Sequence, residues 1–274
     1  MILVIGEKFI CNDKIISVTQ IDQHVKDQNE IIYEVMRFID SKPLFLRDHL
    51  DRFLSAFHFG VDKNNYYKTL LSNYIRKLID CNNLENGNVR FQFNNNNSQL
   101  FCAWLIPFKY PTAQQYKEGV SVNTYSRERT DPNIKSRDIK LRFDVDDFIV
   151  KREIYEAILI NPDGKITEGS RSNIFFIENK LIISPPLAMI LPGITRQKII
   201  SLIHEHGFHF EERTVRISEI NRFESCFISG TSPKILPVKK IDEQYMIIEN
   251  PLLKRLIQLY DKLIDTYLEN FTWN

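Results

Sequence analysis

Cysteine is scarce in this chain: four among 274 residues, at Cys11, Cys81, Cys102 and Cys226, with no C-x-x-C pair. That spacing speaks against a zinc site and against a disulfide framework, and makes a reduced interior the expectation. Long apolar runs are missing too; none approaches the roughly twenty residues a bilayer core demands, so no membrane contact is expected. Excess charge of either sign is absent. Thirty-six Lys and Arg against 35 Asp and Glu leave +1, which gives no electrostatic reason to expect a nucleic-acid partner. The opening Met1 to Gly6 lacks the length and basic start of a secretion signal, so the expected compartment is the cytoplasm. No internal repeat is visible. In His204-x-His206-x-x-His209 the first two do not share a helical face and no third ligand of the right kind is close, so no metal ion is expected.

What is present suffices for a sizeable core, with 43% hydrophobic and 26% charged residues. Residues 2 to 18 read as a hairpin turning at Asn12-Asp13-Lys14, and Ile31 to Ile39 as a strand. Leu46, Leu50, Phe53, Leu54 and Phe57 line one side of a helix over 46–57, with His49 and Arg52 on an adjacent side. A second helix is expected over Tyr66 to Ile79. Strands over Val89 to Phe93 and Leu100 to Ile106 flank an Asn-rich turn, Asn94 to Asn97. Pro107-Phe-Lys-Tyr-Pro111 breaks the pattern and reads as a linker. Two domains follow, 1–110 and 111–274. The fold class expected is α/β: an α+β N-terminal half and a C-terminal half of mixed sheet with helices. In the second half we expect strands over Gly119 to Tyr125, Tyr155 to Ile160 and Ser225 to Ser229. Helices are expected over Asp138 to Ile154 and Leu252 to Leu268, with one helical turn near Ser218 to Asn221.

The informative stretch is Asn161 to Ile200. Asn161-Pro162-Asp163-Gly164 is a turn. Glu168 falls in a Thr-Glu-Gly-Ser turn ahead of a buried hairpin, Ile174 to Ile177 and Leu181 to Ile183. Pro192-Gly193 then ends the extended chain and a helix opens at Ile194-Thr195, running on until Gly207 stops it. A glycine loop feeding a helix start offers aimed N–H groups to an anion. Gly230-Thr231-Ser232, at the end of a strand, offers a second such nest. An acid and an anion cradle in one stretch suggest a phosphorylated ligand with a basic nitrogen.

The run T-E-G-S-x-S-N-x-F, followed by L-P-G-I-T-R, resembles the class IV aminotransferases, the fold type IV enzymes of pyridoxal 5′-phosphate. Branched-chain and D-amino-acid aminotransferases and aminodeoxychorismate lyases make up this group. The resemblance spans about Ile134 to Ile241, with a weaker part from Glu30 to Phe57. It implies a D-amino-acid-aminotransferase-like fold, a homodimer, and pyridoxal phosphate as cofactor. Two lysines stand where the reactive amine belongs, Lys135 and Lys140. Lys135 lies twenty residues before Tyr155, the family's spacing, and Lys140 only fifteen, so the resemblance selects Lys135. It places Glu168 at the ring nitrogen and Arg52 on the phosphate, with His49 in support. Further phosphate contacts fall to Ile194, Thr195, Thr231 and Ser232. Glu156 is expected to orient the lysine or the ring edge, and Tyr33 to stand near the substrate.

Three substrate motifs depart from the family. Gln28 to Ile32 replaces F-G-D-G, and Ser136-Arg137-Asp138-Ile139-Lys140 replaces S-G-N-Y. Asparagine stands where an arginine follows Q-V-T, in Gln92-Phe93-Asn94-Asn95. Arg90 and Arg137 are the alternatives for holding a substrate carboxylate. The expected activity is amino transfer between an amino acid, branched-chain-like or D-, and a 2-oxo acid. Two rivals stand beside it: a lyase releasing pyruvate, and a scaffold that binds a phosphorylated ligand without turnover.

Overall fold

The structure, a computed structural model, describes residues 2–25, 30–94, 100–129 and 131–273. Asn95 to Asn97 of the expected turn, and Gln28 and Asn29, lie outside the described residues. By its internal packing the chain forms two units: residues 1–109 with 134–138 and 264–274, and residues 110–133 with 139–263.

The first unit contains β1 (Ile5–Cys11), β2 (Lys14–Ser17), α1 (Ile21–His24), β3 (Tyr33–Ile39), β4 (Lys42–Pro43), α2 (Leu46–Ser55), α3 (Val61–Asn82), β5 (Gly87–Phe93) and β6 (Phe101–Ile106). Its sheet runs β2-β1-β6-β5-β3-β4 and every pairing is antiparallel. Strand alternation sends Met36, Phe38, Val89, Phe91 and Phe93 to one face, where they pack with Leu50, Phe53, Leu71 and Ile75 of α2 and α3. Each such side chain removed from water contributes about 2 kcal/mol. The opposite face of β5 is unusual: Asn88, Arg90 and Gln92 are polar yet buried, as is Asn94 just beyond.

α3 starts five residues before the expected Tyr66. Its first turn, Val61 to Asn65, is largely exposed and polar, so it leaves no apolar periodicity to read. α2 opens from Phe45, whose φ is 56°, and the Leu46 N–H donates to the Tyr267 hydroxyl at 3.0 Å. Cys11 and Cys102 correct the expectation of no disulfide. They are register partners on β1 and β6 and are joined as a disulfide, although ninety-one residues separate them. Sheet order, which spacing does not disclose, brings them together.

The second unit contains α4 (Ala113–Glu118), β7 (Val120–Ser126), α5 (Ile139–Arg152), β8 (Glu156–Ile160), β9 (Lys165–Gly169), β10 (Asn173–Glu178), β11 (Leu181–Ser184), α6 (Ile194–Glu205), β12 (His209–Glu212), β13 (Val215–Arg216), β14 (Ser225–Gly230), β15 (Lys234–Ile241) and β16 (Gln244–Tyr245). α7 (Pro251–Glu269) follows, its residues from Ile264 belonging to the first unit. The sheet order is β12-β11-β10-β14-β15-β7-β8-β9-β13, with β16 on β15. β7 is parallel to β8 and β15, and β11 is parallel to β12; the remaining pairs are antiparallel. Phe176, Ile183, Cys226, Ile228, Leu236 and Val238 fill the core.

Two readings change here. The Thr-Glu-Gly-Ser segment is strand through Gly169, because Ile166 pairs with Ile160 and with Val215 and so zips Thr167 and Glu168 into the sheet. After the expected linker comes a helix with a full capping box, Thr112 with Gln115, a T-x-x-Q signature that sequence reading passed over. α6 ends as expected at Gly207, whose φ of +67° lets its N–H reach His204 O while Phe208 N–H reaches Ile203 O.

Candidate active site

In the first unit the candidate side chains gather at the start of β3. Residues 134–138 run beside it without forming a strand: Tyr33 N–H donates to Lys135 O, Arg137 N–H to Ile31 O, and Glu30 N–H to Arg137 O. Ile32 and Ser136 form the bridge between them. This backbone pairing sets Lys135 Nζ 5.2 Å from the Tyr33 ring centre. Lys135 is half-buried, whereas Lys140, near the start of α5, is exposed. Arg90 meets the other part of this aromatic cluster, its guanidinium 4.5 Å from the Tyr33 ring and 5.1 Å from Trp104. A guanidinium this close to two aromatic rings has its charge stabilised by their π-electrons. Gln92 Oε1 accepts from Arg90 Nη2 at 3.2 Å.

On the opposite face of β3 sits Glu34, 0% exposed. α2 presents His49 and Arg52 three residues apart, and both reach this acid. Arg52 donates through Nε to Oε2 at 2.8 Å and through Nη2 to Oε1 at 2.6 Å. His49 Nδ1 lies 3.4 Å from Oε1. Burial alone would raise the Glu34 pKa, but the charge of Arg52 and the contact with His49 outweigh it and hold the carboxyl well below the usual range. Burial pushes the His49 pKa down; Glu34 opposes this, while Arg52 and Lys135 add to it. His49 is therefore neutral at pH 7 beside an ionised acid. Sequence reading missed Glu34, and the signal available was an acid at an inward position of an otherwise apolar alternation.

In the second unit Glu168 rides on β9 at 2% exposure. Arg129 Nε is 2.9 Å from Oε1, and the Leu191 N–H and Asn173 Nδ2 donate to Oε2 at 3.0 and 3.4 Å. Arg129 was also missed, hidden in the charged run Arg127-Glu128-Arg129, which reads as a solvated edge. Glu156 is buried and accepts from the hydroxyls of Ser170 and Ser172 and from the N–H groups of Arg171 and Ala157, at 2.7 to 3.2 Å. It staples the turn that follows Glu168.

α6 starts without a side-chain cap at Gly193, so the Ile194 and Thr195 N–H groups carry the positive end of a twelve-residue helix. A Cβ on Gly193 would stand 2.0 Å from Asn173 Oδ1, a closeness only glycine permits. Asn173 is in turn the register partner of Ser229, whose buried Oγ has no hydrogen-bond partner among the described residues. Thr231 and Ser232 follow in the three-residue loop between β14 and β15, both half-buried. An uncapped helix start, a glycine cradle and an orphaned hydroxyl make a site whose chemistry suits a phosphate. Among the described residues no cluster of His, Cys, Asp or Glu could hold a metal, and no helix is long and apolar enough to cross a membrane.

Residues 31–241 match the family model described as amino-transferase class IV. The chain is 29% identical over 227 residues to a D-alanine aminotransferase of Bacillus licheniformis, covering 78% of this chain and 79% of that one. It is 25% identical over 239 residues to a branched-chain-amino-acid aminotransferase of Pseudomonas aeruginosa, covering 80% and 78%. Among solved structures, the branched-chain amino acid aminotransferase of Escherichia coli superposes with a TM-score of 0.78 at 22% identity over 95% of both chains. That likeness shows the fold, an α/β arrangement of the kind the sequence led us to expect.

Proposed function

The chain belongs to the class IV aminotransferase family, and from that premise we propose that it moves an amino group from an amino acid to a 2-oxo acid with pyridoxal 5′-phosphate. The observation that carries this reading is Glu168: a carboxylate withdrawn from water yet paired with Arg129, close in sequence to an uncapped helix start. When bound, the cofactor supplies an electron-accepting ring that weakens the Cα–H bond of the amino acid.

The chain supplies the rest. Lys135 is the residue whose Nζ would hold the cofactor and whose freed amine would take the proton from the substrate α-carbon. Glu168 would serve as the acceptor for the ring nitrogen and favour its protonated form. The phosphate would be held by Arg52, by the Ile194 and Thr195 N–H groups with the Thr195 hydroxyl, and by Thr231 and Ser232, with His49 behind Arg52. Glu156 acts by keeping the Ser170–Ser172 turn in place. Arg90, Tyr33 and Arg137 would receive the substrate carboxylate, with Arg90 restrained by Gln92 and by the two rings beside it. The homodimer and the cytoplasmic setting complete the proposal.

The test is the visible spectrum of the purified protein with pyridoxal phosphate, then borohydride fixation and peptide mapping. Label on the Lys135 peptide supports the reading; label on Lys140 overturns the choice of amine. A panel of L- and D-amino acids with 2-oxoglutarate then reads the donor. Glutamate formation supports transfer, whereas pyruvate released without an amino acceptor indicates the lyase outcome. A bound cofactor with neither product indicates binding alone. Sedimentation at micromolar concentration tests the dimer.

A further inference from the structure

Glu34 has no part in the roles above, yet it is the most deeply buried charge of the first unit and organises two of the residues that do. We infer that Glu34 is the positioning residue for Arg52: it sets the guanidinium plane so that one edge is committed inward and the other faces the phosphate. The inference rests on the reading of Arg52 as a phosphate ligand.

The geometry is specific. Glu34 takes the Nε–Nη2 edge of Arg52 with both oxygens, at 2.8 and 2.6 Å. A guanidinium held along that edge has its plane and its roll fixed, so its Nη1 side points in one direction only. The acid is itself immobile. The Val35 N–H donates to Oε1 at 2.9 Å, His49 Nδ1 lies 3.4 Å from the same oxygen, and the strand backbone on either side is locked to β5. Arg52, by contrast, has a long stem, and Glu34 is the buried carboxylate that restrains it.

Charge and geometry make opposite demands, which renders the idea testable. Removing a negative charge beside Arg52 raises the local positive potential, and Coulomb attraction alone would then hold a phosphate more tightly. Loss of aim would hold it less tightly. The experiment uses full-length apo-protein titrated with pyridoxal 5′-phosphate and, separately, with pyridoxal, and reads the ratio of the two affinities from the visible band. A fold defect weakens both ligands alike and leaves the ratio unchanged.

We expect Glu34→Gln and Arg52→Lys each to lower the ratio about tenfold, the scale on which partners of a ligating residue act, with the double variant falling no further. Glu34→Asp, which keeps the charge but shortens the reach, lowers it too. A ratio unchanged or raised in Glu34→Gln while Arg52→Lys lowers it overturns the inference. If Glu34→Gln does not fold, a wild-type ratio in Glu34→Asp overturns it equally. Should Arg52→Lys itself leave the ratio intact, the fault lies with the reading of Arg52 as a phosphate ligand.

Discussion

The two units answer buried acid in different ways. In the first, Glu34 is matched by Arg52 and His49, side chain against side chain. In the second, Glu156 is matched by hydroxyls and main-chain N–H groups, and Glu168 by one arginine, one side-chain amide and one main-chain N–H. A side-chain ion pair in a dry setting is costly to break, because the survivor stays charged and buried. Main-chain donors are fixed by the fold and lose less when one acceptor is changed. The first arrangement should therefore fail through stability and aim, the second through chemistry.

The sharpest contrast is between two lysines five residues apart. Lys135→Ala, on the half-buried segment of the first unit, should reduce turnover by roughly 10³-fold or more, the upper range for a lost acid–base group. Lys140→Ala, exposed on α5, should leave it unchanged; steady-state assays with the best donor decide. Glu168→Gln should cut kcat by roughly 10²-fold or more, the scale of a lost preorganised electrostatic partner. Its urea midpoint should move less than that of Glu34→Ala. A midpoint drop in Glu168→Gln as large as that in Glu34→Ala would break the comparison.

Glu34→Ala strands Arg52 and His49 and should cost about 3 kcal/mol in urea unfolding. Acid titration sharpens the point. The folded pKa of Glu34 is depressed, so its stabilisation is present above the ordinary value of 4.5 and is lost as pH falls through and below it. His49 is also depressed, so the unfolded chain takes up its proton first and stability declines as pH drops below 6.5. His49→Gln should flatten that first decline and Glu34→Gln the later one, read as unfolding midpoint against pH. The smallest effect is Gly193→Ala. Its Cβ meets the buried Asn173 amide, which must turn aside from its partners Glu168 and Leu191, so about 1 kcal/mol should be lost. Phosphate affinity should fall alongside, as measured by titration with inorganic phosphate.

Much of this was legible beforehand, and the failures share a cause. β3, β5, β10 and β14 announce themselves through branched and aromatic residues, and α2 and α7 through their apolar stripes. Glu168 and the α6 start emerged from a local motif. Glu34, Arg129 and the Cys11–Cys102 pair did not, because each acquires its meaning from a partner distant in the chain: Arg52 eighteen residues on, Glu168 across two strands, Cys102 across the sheet order. The polar ladder on β5 reads as ordinary alternation with a solvated face until the sheet buries it.

The short segment 134–138 carries one further consequence, for anyone who would build hybrids of this enzyme. Five residues borrowed from the later part of the chain hold Lys135, the amine proposed as the cofactor tether, against an aromatic ring supplied by the earlier part, through main-chain bonds at positions 30 to 33. Grafting the first 110 residues of a relative would import a new ring and a new guanidinium but keep the host lysine. The seam that must match is thus the three-bond join at Glu30, Ile31 and Tyr33 and not the proline-flanked crossover. On the proposed roles, substrate range and cofactor tether are inherited together, and a designer who separates them must recut both.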